Sequence, residues 1–487
     1  MALERVRRSN DFLWLGIALF FVLTLSFLLS LMPTDYWWNL RVGQETLQVG
    51  HVPTVDTYST TRAGEPVIYS DWLAAVLFWL VYKAGGVTLT IFLRGLVMAV
   101  TFGLLWLAMR RISGPKLAAI LTIFVLLAGS RNWPPVRPQM FAFPLFILTI
   151  LILRDWTKGG NKNLWWLLLI SLLWANLHGS FILIYVLEIS ALIFGKGSRK
   201  HLALAVGLSI IAAMVNPSGP AIWATLRDAG NIRNVSLEWL PPSNDDWTMN
   251  LFFLWLLAFP LLAALSSRKL SLLDWIWFLG LGWLALSGTR FVIWFQLLLA
   301  LHTAELLSEW DHCHLDKGPG APFPAMNFTV GVILLLLPLG LLPGLREYWW
   351  KASPPALSES TPVAAVEWLA DHPELPGPLW NDFGFSSYLI FALPSRPVWL
   401  DARMHQAGYT TRQYEEYHLV HSARPGWQAY LDQSAINLLV LDKQEEADLI
   451  GALQAVPVWC LQYQDDISAI YLRLKSGDFC PALSPGS

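Results

Sequence analysis

The sequence predicts a mainly α-helical, polytopic membrane protein that ends in a small α/β domain. Three observations predict it. Hydrophobic residues make up 55% of the 487 and charged residues only 14%, with 27 Trp that a water-soluble domain would struggle to place. Apolar segments near the length of a membrane span recur through roughly the first 350 residues. After Ser353-Pro354-Pro355 the pattern changes to short apolar runs alternating with helix-like stretches.

Taken in order, Met1 to Asn10 carries Arg5, Arg7 and Arg8 ahead of about 20 apolar residues, with no small-residue cleavage site after them. This is an uncleaved first helix with its basic end inside. Apolar segments at roughly 12–32, 88–109, 117–130, 138–153, 163–176, 179–195, 201–215, 248–265, 270–287, 289–307 and 326–346 give about 11 transmembrane helices. The basic loops (Arg110, Arg111 and Lys116; Arg154, Lys158 and Lys162; Lys196, Arg199 and Lys200; Arg268 and Lys269) alternate, which puts them in the cytoplasm with the N-terminus. The loop Ser308 to Lys317, acidic and His-rich, does not follow that rule.

Counting Asp71 to Lys83 as another span would turn every basic loop outward. It is short and precedes Gly85-Gly86, so it reads as an interfacial helix within a first outer loop at about 33–86. The other outer segments are Arg131 to Arg137, Asn216 to Trp247 and everything after about Glu347. A transmembrane domain at 1–350 is followed by a soluble extracytoplasmic domain at 351–487. Its strands are expected near Val398 to Leu400, Asn437 to Leu441, Val456 to Leu461 and Ala469 to Leu472. Helices are expected at Thr411 to His421 and Lys443 to Leu453, and a hairpin at Asp465-Asp466.

Several function classes drop out. A net charge of −2 with no basic aromatic-studded cluster excludes nucleic acid as a partner, and no GxGxxG or Walker pattern opens a helix. The absence of repeated halves, with ionisable residues gathered at one surface, disfavours a secondary transporter. Three cysteines without CxxC spacing leave two readings open: Cys460 and Cys480 pair outside the cell, or both stay reduced.

Asp35, in Asp35-Tyr36-Trp37-Trp38-Asn39-Leu40 just after the first apolar run, places a carboxylate among aromatics suited to the lipid interface. There it is a candidate general base; the plainer reading is a solvated helix-end acid. In the same loop Asp56 suits acceptor positioning or a turn, and Asp71 suits a ligand or the N-cap of the next helix. Arg131, Arg137 and Arg290 sit at outer helix ends, where guanidinium groups clamp phosphate or snorkel to headgroups. His178 in Asn176-Leu177-His178-Gly179 is a phosphate ligand or a satisfied hydrogen-bonder, and Glu238 in Glu238-Trp239 is a second interfacial acid or a loop anchor. Asn381-Asp382 and Asp401-Ala402-Arg403 end predicted strands, where α/β ligands gather, although an Asp/Arg pair locking a loop explains them as well.

As a set these residues resemble a known group. Asp35-Tyr36-Trp37-Trp38-Asn39-Leu40, Gly50-His51-Val52-Pro53, Asp56-Thr57-Tyr58-Ser59 and Asp71-Trp72-Leu73 resemble the first outer loop of bacterial GT-C-type membrane glycosyltransferases. So do Arg137-Pro138-Gln139, Asn176-Leu177-His178-Gly179, Asn216-Pro217-Ser218-Gly219, Glu238-Trp239, Arg290-Phe291, and Asp382-Phe383-Gly384 through Pro397-Val398-Trp399-Leu400-Asp401-Ala402-Arg403. The resemblance implies a GT-C-like helical core with interfacial helices in the first outer loop. It implies a polyprenyl-phosphate-linked sugar as donor, as in the protein O-mannosyltransferases and aminoarabinose transferases, and a protein or glycan acceptor. By this resemblance Asp35 is the catalytic base; from their positions, Arg137, His178 and Arg290 are expected to bind the donor phosphate, and Glu238 and Asp56 to position the acceptor.

Many GT-C enzymes carry adjacent or closely spaced acids in this loop. Here Asp35 is followed by Tyr36 and the next acid is Glu45, which favours metal-free inverting transfer over a divalent-metal mechanism. The implied location is the cytoplasmic (inner) membrane, and the alternative is a non-catalytic GT-C-derived subunit or scaffold of a membrane complex.

Overall fold

A computed structural model describes residues 2–129, 136–224, 237–314, 323–475 and 480; Arg131 lies outside them. The chain forms two compact units. The first comprises Met1–Ser30, Gly85–Gly219 and Ser236–Ala356, and is helical. Its helices are α1 (Ala2–Leu28), the part of α3 (Trp72–Ile112) that follows Gly85-Gly86, α4 (Pro115–Ala128), α5 (Ala142–Thr157), α6 (Trp166–Leu177), α7 (Ile182–Phe194), α8 (Arg199–Ala213), α9 (Trp247–Leu265), α10 (Leu272–Ser287), α11 (Val292–His314) and α12 (Pro324–Leu336). Every expected apolar segment carries a helix. Among the described residues six helical stretches are long and apolar enough to cross a membrane. Pro115–Ala128, Gly179–Phe194 and Leu272–Ser287 are apolar but shorter, so by length alone the span count stays below the eleven expected.

Local chemistry starts and stops these helices. Pro115 opens α4, where its missing N–H costs nothing, and a capping box of Ser271 and Asp274 opens α10. The last carbonyls of α1 have no intrahelical donors: Arg346 Nη1 donates to Phe27 O at 3.0 Å, and Arg94 donates to Leu29 O. Helices α1 and α12 meet at glycines, because a Cβ on Gly16 would stand 3.0 Å from Gly331 Cα. Helix α11 is apolar nearly all round and inaccessible from Val292 to His302, as a central helix must be. Leu257, Leu265 and Trp283 are instead more than three-quarters exposed, the outward apolar surface a lipid solvent accepts.

The second unit comprises Leu31–Ala84, Pro220–Val235 and Leu357–Ser487. It holds α2 (Tyr36–Val49), the start of α3, and a four-stranded sheet of β1 (Leu379–Asn381), β2 (Leu438–Asp442), β3 (Trp459–Gln464) and β4 (Ser468–Arg473) in the order β1-β2-β4-β3. β1 and β2 are parallel; the other pairs are antiparallel. The expected strand at Val398 to Leu400 does not form, and Val398 instead makes an isolated bridge to Ser59. The hairpin between β3 and β4 turns at the expected Asp465-Asp466. Side chains alternate along β2: Leu439 and Leu441 enter one core layer, Leu438 and Val440 the other.

The first loop belongs to this second core. Trp38, Val42, Tyr58, Val67 and Tyr69 pack with Leu379, Val398 and Leu438, and Thr60 N donates to Val398 O at 2.8 Å. A boundary drawn only near residue 350 therefore leaves 31–84 with the wrong partner. Trp37 and Trp38, expected as interfacial anchors, are each 1% exposed. Trp37 meets Tyr388 edge-to-face at 4.8 Å and Phe391 at a tilt at 5.3 Å, so the aromatic run serves a protein core. The helix from Trp72 breaks at Gly85 and Gly86, the latter at φ 59°, as that glycine pair predicts. Cys460 and Cys480 form a disulfide, which resolves the two readings of these thiols.

Candidate functional site

In the helical unit, four expected residues converge. Arg137 precedes the turn Pro138–Phe141 that leads into α5; His178 joins α6 to α7; Arg290 lies in the turn Thr289–Phe291 between α10 and α11; Glu238 lies in the turn Leu237–Trp239. Arg137, His178 and Arg290 stand where helices meet turns and Glu238 in a turn of its own, and all four are half-buried. Glu238 bridges the two arginines, its Oε2 accepting from Arg137 Nη1 at 2.6 Å and its Oε1 from Arg290 Nη1 at 3.4 Å. The Arg290 guanidinium lies over the Trp239 ring at 4.2 Å. Burial opposes ionisation of Glu238, but Arg137, then Arg290 and His178, outweigh it and hold the carboxyl at about 2. Glu238 is thus an anion that orients two guanidinium groups.

His178 has a defined role in this turn. Its Nδ1 accepts from Ser180 N–H at 3.0 Å and meets Ser180 Oγ at 2.7 Å, and Trp174 Nε1 donates to the same hydroxyl at 3.0 Å. A backbone N–H directed at Nδ1 assigns the ring proton of the neutral imidazole to Nε2, leaving that atom as the donor. Asn176 Nδ2 bonds Leu172 O and Val215 O, fixing the helix end from which His178 projects.

In the second unit, Asp35 is the residue before α2, but its side chain makes no capping hydrogen bond to that helix. Asn39 Nδ2 donates to the Asp35 carbonyl at 2.8 Å. Asp71, which precedes α3, is 4% exposed, and among the described residues its buried Oδ1 has no hydrogen-bond partner. Burial raises its carboxyl to about 7; the Asp35 charge adds to the rise, and its own backbone N–H and Asn39 work against it. Sequence spacing hid this neighbour. The acid near Asp35 is 36 positions away rather than adjacent, brought back by α2 and the start of α3, which pack so closely that a Cβ on Gly43 would stand 2.1 Å from Ala75 O.

The raised Asp71 value fixes the sign of a pH effect. A carboxyl that titrates higher folded than unfolded stabilises fully below its ordinary value near 3.8, and that stability is lost as pH rises towards about 7. We expect the melting temperature of Asp71→Asn to gain on that of the native protein steadily across this window and to hold the gain above it. A constant difference over the whole range would contradict the raised value.

Asp56 has a structural environment. Its oxygens accept from Arg403 (Nη1 at 2.9 Å, Nη2 at 3.1 Å), from Tyr58 N at 2.9 Å and from Ser59 Oγ at 2.6 Å, and the Asp56 and Arg403 side chains are both inaccessible. Asp401 completes the triad through Arg403 Nη2 at 2.6 Å, with the Tyr409 hydroxyl donating to it at 2.8 Å. An acid with no solvent-facing oxygen cannot receive an acceptor, so the expected acceptor-positioning role of Asp56 gives way to that of a buried link. The loop-locking pair expected at Asp401 and Arg403 is present, with Asp56 as its third member.

No protein-family model matches the chain, and no curated protein matches its sequence. Solved structures do match its fold. Oligosaccharyltransferase AglB from Archaeoglobus fulgidus, bound to an inhibitory peptide and a dolichol-phosphate, superimposes with a TM-score of 0.56 at 12% identity, over 96% of this chain and 75% of that one. ArnT from Cupriavidus metallidurans, bound to undecaprenyl phosphate, gives 0.50 at 15% identity, over 95% of this chain and 98% of that one. Arabinofuranosyltransferase AftD from Mycobacteria gives 0.54 at 14% identity, but this chain spans only 40% of its length. The chain has the fold of the GT-C membrane glycosyltransferases.

Proposed function

We propose that this protein transfers a sugar from a polyprenyl-phosphate carrier to an extracytoplasmic acceptor, from the cytoplasmic membrane, with its N-terminus inside and its C-terminal unit outside. The observation that carries the reading is the cluster of Arg137, Arg290 and His178 ordered by Glu238 in a GT-C fold. Two guanidinium groups and an Nε2–H donor suit a phosphate that gains charge as it leaves. In the proposed reaction the acceptor oxygen attacks the anomeric carbon, the bond from that carbon to the carrier phosphate breaks, and the polyprenyl phosphate departs with the electron pair. Asp35 takes the acceptor proton. Glu238 acts as the holder of the two arginines rather than as an acceptor contact.

The disulfide supports an extracytoplasmic C-terminal unit, since such bonds persist in oxidising compartments. Binding of undecaprenyl phosphate to the detergent-purified protein, followed by native mass spectrometry, tests the phosphate assignment. Arg290→Ala should weaken binding by about 10- to 100-fold, the loss of one charge-assisted contact, and Arg290→Lys should recover part of it. Equal binding by native protein and both variants would remove the cluster from the mechanism. Release of polyprenyl phosphate from a sugar-linked donor, by the native protein and not by Asp35→Asn, tests the reaction itself.

A further inference from the structure

The carboxyl ends of the parallel strands β1 and β2 gather acids that sugar transfer does not use. Asp382 follows β1 and Asp442 ends β2. Glu446 precedes the helix Ala447–Gln454 and turns back, so that its Oε2 accepts from Asp442 N–H at 2.8 Å. His421, the last residue of the helix Thr411–His421, brings Nδ1 to 3.3 Å from Glu446 Oε1. Asp382, His421 and Glu446 each offer one ligand atom, and these atoms all lie within 4.8 Å of one another.

This cluster is not balanced as Asp56 and Asp401 are. Asp56 and Asp401 share Arg403, whereas among the described residues neither Asp382 nor Glu446 has a Lys or Arg partner; His421 alone stands opposite them. Asp382 is 4% exposed and accepts one hydrogen bond, from Phe385 N–H to Oδ1 at 3.0 Å; among the described residues its Oδ2 accepts none. The Glu446 side chain is inaccessible, while that of His421 is 21% exposed and gives the cluster its way to solvent. Two desolvated carboxylates facing one imidazole carry a charge deficit that the protein leaves open. Carboxylate and imidazole are the donor set of borderline first-row cations, which bond to each at about 2.0–2.2 Å. The carboxyl end of parallel strands is also where α/β sheets bind ligands.

We propose that Asp382, His421 and Glu446 form a site for a divalent cation of the Zn2+ or Mn2+ class. Three protein ligands leave coordination positions for water, reached past His421. A proton is the rival way to relieve the crowding: burial first, then the charges of Glu446 and Asp442, push the Asp382 carboxyl well above the usual range. Metal binding separates the two. Full-length protein without a polyhistidine tag, stripped with chelator in detergent and titrated with Zn2+ or Mn2+, should retain about one ion per chain after desalting. Its melting temperature should rise by about 3–6 °C at saturation. His421→Ala, at the accessible edge, and Glu446→Gln should each lose the retained ion and the rise, while Asp448→Asn, an exposed acid nearby, should keep both. Native protein that retains neither metal, or that binds no better than His421→Ala, would overturn the proposal and leave the acids protonated.

Discussion

Replacing Asp35 with Asn is expected to lower sugar transfer by about 10²- to 10⁴-fold, the range lost when a general base is removed, with fold and carrier binding retained. The fold should survive because the Asp35 side chain does not cap α2, and the bond from Asn39 goes to its main-chain carbonyl. Undecaprenyl phosphate binding should be unchanged, since the guanidinium cluster lies on other residues. The same substitution removes a charge that holds Asp71 up. The pH window over which Asp71 affects stability should therefore narrow in Asp35→Asn. Full transfer activity in Asp35→Asn would end its assignment as the base.

Arg403→Met is expected to be the most destabilising single change in the second unit, by about 3–5 kcal/mol, because it strands two buried carboxylates together. Asp56 and Asp401 would lose the group that neutralises both, and Tyr69 would lose the Arg403 Nη1 donor at 2.8 Å. Thermal unfolding of the purified variant, or failure to recover folded protein beside Arg412→Met as an exposed control, measures it. Asp56→Asn should follow the same course to a smaller degree, lowering stability before it lowers transfer. A loss of transfer with unchanged melting temperature would return Asp56 to the acceptor.

What could be read in the sequence followed from periodicity and composition. Long apolar segments must form helices, and the shift in composition near Ser353 marks a different solvent; both need only local information. The convergence of Arg137, His178, Glu238 and Arg290 was also within reach, since each falls in a segment expected on one side of the membrane. Two features were not. Trp37 and Trp38 carry a signature equally suited to a lipid interface and to a protein core, and only long-range partners decide between them: Tyr388 and Phe391 for Trp37, and the core around Leu379, Val398 and Leu438 for Trp38. Asp56 reads as a turn acid because Arg403, its partner, is 347 positions away. Asp382 shows the converse limit: its place at a strand end was legible, but His421 and Glu446 come from separate helices that no spacing rule connects.

The second unit is assembled from pieces made far apart in time. Residues 31–84 contribute Trp38, Tyr58 and Tyr69 to a core completed by Leu379, Val398 and Leu438. At ordinary ribosome speeds the intervening chain takes on the order of tens of seconds to synthesise. For that interval the first loop exposes apolar faces and a buried-type acid, Asp56, whose counter-ion has yet to be translated. Cells that make this protein must shield that loop while it waits, and the C-terminal segment expressed by itself would lack part of its own interior.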